Sequence, residues 1–186
     1  DEDIADVDGL QSYMIRRIGN FIASKGRKMI GWDEILQGGL APGAVVMSWR
    51  GTEGGIEAMK QGHDVIMTPG RYCYLDHAQD APFREPESIG GYLPLDSVYV
   101  YEPVEARMPQ DRIHHILGLQ ANLWSEYIPD DAHAEYMYWP RAFAIAETAW
   151  SAPERKNLQD FRRRALNMLE LMKRRGYNVF DLSNEY

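Results

Sequence analysis

Apolar and polar positions along this chain follow two rhythms, and the switch between them sets the order of its elements. Between residues 9 and 25, Leu10, Tyr13, Met14, Ile18, Phe21 and Ile22 recur at helical spacing, with Arg16, Arg17 and Lys25 on the other face. Asp8 fits an N-cap and Gly26 a C-terminal stop. Short unbroken apolar runs then predict strands over 28–32, 44–49, 64–68 and 116–124. A helix is expected over 54–61, where Ile56 and Met59 share a face and Gly62 closes the turn. Residues 70–112 break the rhythm with prolines and tyrosines, so a functional loop or short helices are expected there. Helical spacing returns over 132–150, interrupted at Pro140, and again over 157–175 with Phe161, Ala165, Leu166, Leu169 and Met172 inward. Trp139 and Trp150 are expected in the core between these last helices.

Strands alternating with helices imply an α/β fold with a parallel sheet and right-handed crossovers. Four such units make half of a TIM-barrel (βα)8 fold, whose usual length is ~250 residues. The 186 residues are therefore read as one domain, βα units over 1–152 and a closing helix and tail over 153–186. In such sheets ligands bind at the carboxyl ends of the strands.

Composition narrows the partners. A formal net charge of −8 argues against nucleic acid, whose binding rests on a basic footprint. The six basic residues between Arg162 and Arg175 are read as a solvated helix face. Gly51-Thr52-Glu53-Gly54-Gly55 lacks the spacing and the lysine of a phosphate loop. The single cysteine, Cys73, can form neither an internal disulfide nor a thiolate metal site, and is expected as a small buried hydrophobe. His63, His77, His114, His115 and His133 show no metal-site spacing, so no metal and no cofactor is expected. No apolar stretch approaches the ~20 residues of a membrane span. The opening Asp1-Glu2-Asp3, without Met, is read as the start of a fragment.

The chemistry lies where the apolar runs stop. They end on Gly31-Trp32-Asp33-Glu34, Val45-Val46-Met47-Ser48-Trp49, Tyr74-Leu75-Asp76 and Leu123-Trp124-Ser125-Glu126. Indoles with a few carboxylates at shared strand ends suit a neutral, hydroxyl-rich ring, since the C–H faces of sugars pack on tryptophan. Each indole taken singly fits a barrel interior equally well; the set favours a sugar site. In order and spacing these motifs, with Met47-Ser48-Trp49-Arg50-Gly51, resemble the second half of family 20 glycoside hydrolases, the β-N-acetylhexosaminidases. The likeness runs from about Leu10 to Ser151 and implies strands five to eight of a barrel plus a C-terminal helix.

That resemblance implies roles position by position. Trp32, Trp49 and Trp124 match the indoles that wall the pocket around the 2-acetamido group and the sugar face. Tyr74 matches the catalytic tyrosine whose hydroxyl hydrogen-bonds the acetamido carbonyl. Asp76 and Glu126 match carboxylates that accept from the 6- and 4-hydroxyls. The implied partner is an N-acetylhexosamine-containing glycan, cut by substrate-assisted catalysis, an exception to the two-carboxylate scheme. The family's acid belongs to an Asp-Glu pair after a His-x-Gly-Gly stretch that this sequence lacks. Asp1-Glu2 has the letters without the setting, so the catalytic pair is expected upstream and the isolated chain inactive. Family members are commonly periplasmic, secreted or lysosomal.

Two alternatives stay open at this level. One is a non-catalytic glycan-binding half-barrel. The other is an unrelated βα enzyme using Asp33 or Glu34 as base, although consecutive strand residues point to opposite faces and a supporting role is preferred. A half-barrel also exposes its edge strands, so self-association is expected.

Overall fold

A computed structural model describes residues 4, 6–81 and 83–182 of the chain. They form two compact units, one from residues 1–69 and 103–119 and the other from residues 70–102 and 120–186. Asp1 and Glu2 lie outside the described residues.

The first unit carries the sheet. Helix α1 (Val7–Ser24) is capped by Asp6, whose carboxylate accepts from Gly9 N at 2.7 Å. The cap lies two residues ahead of the expected Asp8, because an Asx cap bonds the third residue beyond itself. Gly26 takes φ +68° just past the helix, as its placement suggested. The strands are β1 (Ile30–Trp32), β2 (Val45–Ser48), β3 (Val65–Met67) and β4 (Ile116–Leu119), all parallel in the order β1-β2-β3-β4. Helix α2 (Glu53–Lys60) crosses from β2 to β3. Sequential parallel pairing with helical crossovers is the connectivity of half a (βα)8 barrel.

Alternate positions meet a core of Met29, Ile35, Ala44, Val46, Ala58, Met59, Val65 and Met67, with Met108 from the later segment. Val46, Val65 and Met67 are completely buried, as in strands covered on both faces. Helix α1 packs through Ser12, Ile15, Gly19 and Ile22. A Cβ on Gly19 would lie 3.2 Å from that of Ala41, so the helix approaches closely there. Leu10, Met14, Ile18 and Phe21, read from the sequence as one apolar face, are exposed instead. Ser12 and Gly19 share this helix's contact with Ile15 and Ile22, and a search for large apolar side chains overlooks the two small ones.

Strand β4 ends five residues earlier than expected. Its register against β3 slips so that Ile66 faces Gly118 rather than Leu117, a bulge with Gly118 at φ +151°. Beyond it the chain joins the second unit, where Asn122 bridges Tyr74.

The second unit is mainly helical: α3 (Gly70–Cys73), α4 (Leu95–Tyr99), α5 (Asp131–Tyr138), α6 (Arg141–Trp150) and α7 (Leu158–Arg174). The proline- and tyrosine-rich stretch thus holds short helices of its own. The helical rhythm over 132–150 splits at the cis Trp139–Pro140 bond into α5 and α6. In α7, Phe161, Ala165 and Leu169 are buried, as the spacing predicts, but Leu166 is exposed. Trp150 is 91% exposed, against its expected place in the core. It is the last residue of α6, where the helix has already turned it outward. Trp139 packs against Phe143 with ring centroids 4.5 Å apart and the planes tilted by 38°.

Candidate functional site

In the first unit the expected site residues sit at the carboxyl ends of parallel strands. Trp32 closes β1, and Trp49 follows the last residue of β2. Asp33 and Glu34 do not continue β1; they begin a short 3-10 turn, Asp33–Leu36. Strand alternation therefore no longer separates them, and both carboxylates turn to the segment after β2. Glu34 accepts the Trp49 indole N–H on both oxygens at 3.1 Å. Asp33, 2% exposed, accepts from the main-chain N–H of Trp49 at 3.0 Å and of Arg50 at 3.2 Å, and from Arg50 Nε at 2.6 Å. A Cβ on Gly54 would fall 2.9 Å from that of Asp33, so glycine lets α2 close over the buried carboxylate. Both acids thus hold the segment after β2, Asp33 through the main chain and the Arg50 side chain and Glu34 through the Trp49 indole.

In the second unit the remaining candidates meet. Leu75 N donates to Asn122 O at 2.7 Å and Asn122 N to Cys73 O at 2.8 Å, which fixes Tyr74 beside the segment leading to Trp124. The Tyr74 and Trp124 rings stand 6.0 Å apart at 55°. His77, 6.3 Å from Tyr74 ring to ring, stacks over Gly91, where a Cβ would come within 3.0 Å of the imidazole. Cys73 is buried, and burial pushes its thiol up to about 12, so it is an inert hydrophobe.

Asp76 is 5% exposed, and its Oδ1 has no hydrogen-bond partner among the described residues. Burial raises its carboxyl above the usual range, and the nearby negative charge of Glu126 adds to the rise. A hydrogen bond from its own main-chain N–H opposes the rise most, with His77 and Arg141 adding to that opposition. Burial in turn lowers the His77 imidazole. Glu126 itself is exposed. A buried acceptor oxygen beside a phenol and an indole suits a ligand that brings its own hydroxyl donors and an apolar face.

Three residues of this geometry were given no role in the sequence reading. Asn122 belongs to the run before Trp124 but acts through its main chain. Arg50 needed the fold to reveal its carboxylate. Arg141 left a trace: a lone charge within Met137-Tyr138-Trp139-Pro140-Arg141-Ala142-Phe143-Ala144-Ile145 signals a buried cation held by internal hydrogen bonds. No group of three or more His, Cys, Asp or Glu among the described residues stands where it could hold a metal, and no described helix is long and apolar enough to cross a membrane.

Comparison with known proteins gives one consistent result. The family model for the catalytic domain of glycosyl hydrolase family 20 matches residues 1–153. Over 179 residues the chain is 46% identical to a beta-hexosaminidase of Porphyromonas gingivalis, covering 96% of this chain and 23% of that protein. A beta-hexosaminidase of Vibrio furnissii is 34% identical over 149 residues, covering 78% of this chain and 24% of its own. The solved exo beta-N-acetylglucosaminidase of Vibrio harveyi, in complex with N-acetylglucosamine, matches at TM-score 0.84 and 32% identity over 95% of this chain and 28% of that one. The chain therefore spans about a quarter of the length of these curated relatives, at 23% and 24%.

Proposed function

The chain belongs to glycoside hydrolase family 20, and from that premise we propose that the intact protein is an exo-acting β-N-acetylhexosaminidase. It would release terminal N-acetylglucosamine or N-acetylgalactosamine by substrate-assisted catalysis. The acetamido oxygen attacks the anomeric carbon, the bond to the leaving oxygen breaks, and a glutamic acid gives that oxygen its proton. Water then opens the oxazolinium ion at the anomeric carbon and returns a proton to the carboxylate. Because the sequence holds no His-x-Gly-Gly-Asp-Glu, the acid is assigned to the part of the protein beyond this chain.

This chain's share is recognition and orientation. Tyr74 donates its hydroxyl proton in a hydrogen bond to the acetamido carbonyl, which holds the internal nucleophile beneath the ring. Trp32, Trp49 and Trp124 pack on the acetamido group and the sugar face, excluding water. Asp76 and Glu126 accept from the 6- and 4-hydroxyls. The observation that supports this reading most is the buried, unpartnered Asp76 Oδ1 in the same segment as Tyr74, whose ring stands 6.0 Å from Trp124.

The test compares hydrolysis of an aryl N-acetyl-β-glucosaminide with that of the aryl β-glucoside, which lacks the acetamido group. The intact protein should cleave the first at least about a thousandfold faster, the scale of a well-placed internal nucleophile. Comparable rates on both would overturn the proposal. The isolated chain should stay near background, and robust turnover by it would show the acid to be misassigned. The non-catalytic alternative would be favoured by an intact protein that binds N-acetylglucosamine in calorimetry without cleaving either glycoside.

A further inference from the structure

Arg141 opens α6 and is completely buried, yet no carboxylate among the described residues pairs with it. Four main-chain carbonyls solvate its guanidinium instead. Nη1 donates to His77 O at 2.8 Å and Leu93 O at 3.0 Å, and Nη2 to Leu75 O at 2.5 Å and Met137 O at 2.6 Å. Burying a cation costs several kcal/mol unless its donors are satisfied, so this placement leans on these four bonds, while the buried Nε has no hydrogen-bond partner among the described residues.

The choice of carbonyls is informative. Leu75 and His77 flank Asp76, so one guanidinium holds the main chain on both sides of that carboxylate. Met137 lies in the last turn of α5, where carbonyls lack helical partners, and Leu93 lies beside the bridge between Ala78 and Tyr92. The side chain thus ties the loop bearing Tyr74 and Asp76 to the α5–α6 corner. Its positive charge also favours the ionised form of Asp76, against burial.

We propose that Arg141 is the positioning residue for Asp76: through the carbonyls of Leu75 and His77 its planar fork fixes the carboxylate in the attitude that accepts a sugar hydroxyl. This rests on the assignment of Asp76 as a sugar ligand made above. Arginine is required because four bonds diverge from one rigid plane, a geometry that the three tetrahedral donors of lysine cannot reproduce.

The experiment uses the intact protein and measures kcat and KM on an aryl N-acetyl-β-glucosaminide and on its 4-deoxy and 6-deoxy analogues. Asp76→Asn identifies the hydroxyl held by Asp76, because the analogue lacking it becomes insensitive to that change. Arg141→Lys should then lower kcat/KM on the full sugar about tenfold, leave that same analogue within about twofold, and add nothing further in an Asp76→Asn background. Where the lysine variant does not fold, as judged by circular dichroism and thermal melting, Arg141→Gln, which keeps two donors, takes its place. Equal losses on all three sugars, or effects additive with Asp76→Asn, would reduce Arg141 to a structural residue and overturn the inference. A wild-type protein that cleaves no N-acetylhexosaminide would bring down the sugar assignment first, and this inference with it.

Discussion

Trp49 shows how a side chain of ordinary type is given one orientation. Its indole N–H meets both oxygens of Glu34 while its own main-chain N–H meets Asp33, so ring and backbone are fixed from the same short turn. Hydrogen bonds to charged groups contribute about 1.5–3 kcal/mol. Glu34→Ala in the intact protein should therefore raise KM for an N-acetylhexosaminide about tenfold with a smaller change in kcat, and Glu34→Gln, which keeps one acceptor, should recover most of it. Unchanged KM in the alanine variant would show that Trp49 is held by other contacts. Asp76 poses the opposite case, an acid whose folded environment disfavours its charge. A carboxyl raised above its unfolded value contributes stability below that value, near pH ~4, and loses it as pH rises through the folded one. Asp76→Asn should thus raise the melting temperature at about pH 7, with the gain vanishing in acid, while sugar binding weakens. Melting curves across pH, read beside calorimetry with N-acetylglucosamine, check both halves. The places of Trp32 and Trp49 at strand ends were legible because apolar runs stop there. Their partners were not, because the turn that brings Asp33 and Glu34 to Trp49 breaks the strand alternation on which the sequence reading relied.

At the level of elements, periodicity located most helices but misjudged which face is covered. Helix α7 follows the rule, with Phe161, Ala165 and Leu169 inward. Helix α1 does not, since Ser12 and Gly19 lie in its contact while Leu10 and Phe21 face outward. The sequence also stretched the fourth strand to Trp124, because an apolar run carries no mark of the bulge at Gly118, where pairing stops. The contrast between Phe161, 2% exposed and stacked on Tyr99 at 4.5 Å, and Trp150, 91% exposed, gives a direct check. Phe161→Ala should destabilise this chain by about 3 kcal/mol, and Trp150→Ala should stay within about 0.5 kcal/mol. Urea unfolding measures both; a large loss at Trp150 with little at Phe161 would contradict the outward place of Trp150 at the end of α6 and the inward place of Phe161 on α7.

For the whole molecule, alternating strands and helices were enough to read half a (βα)8 barrel, and four motifs in order were enough to reach the family. What lay beyond reach was how residues 70–102 and 120–182 pack, since buried hubs such as Arg141 join segments far apart in sequence. Among the described residues strand β1 pairs only with β2 and β4 only with β3, leaving two open edges with Ile30 and Leu117 exposed. Open parallel edges template further pairing, so we propose that the isolated chain self-associates; sedimentation at rising concentration should show dimers or larger species, and a monomer throughout would refute it. The decisive measurement concerns the nucleophile. The intact protein should be given aryl β-glucosaminides bearing acetyl, fluoroacetyl, difluoroacetyl and trifluoroacetyl groups at the 2-amino position. Since fluorine withdraws electrons from the attacking carbonyl oxygen, kcat/KM should fall steeply along the series, and more shallowly in Tyr74→Phe. Rates independent of the acyl group would contradict participation of the substrate's own acetamido group and, with it, the role assigned to Tyr74.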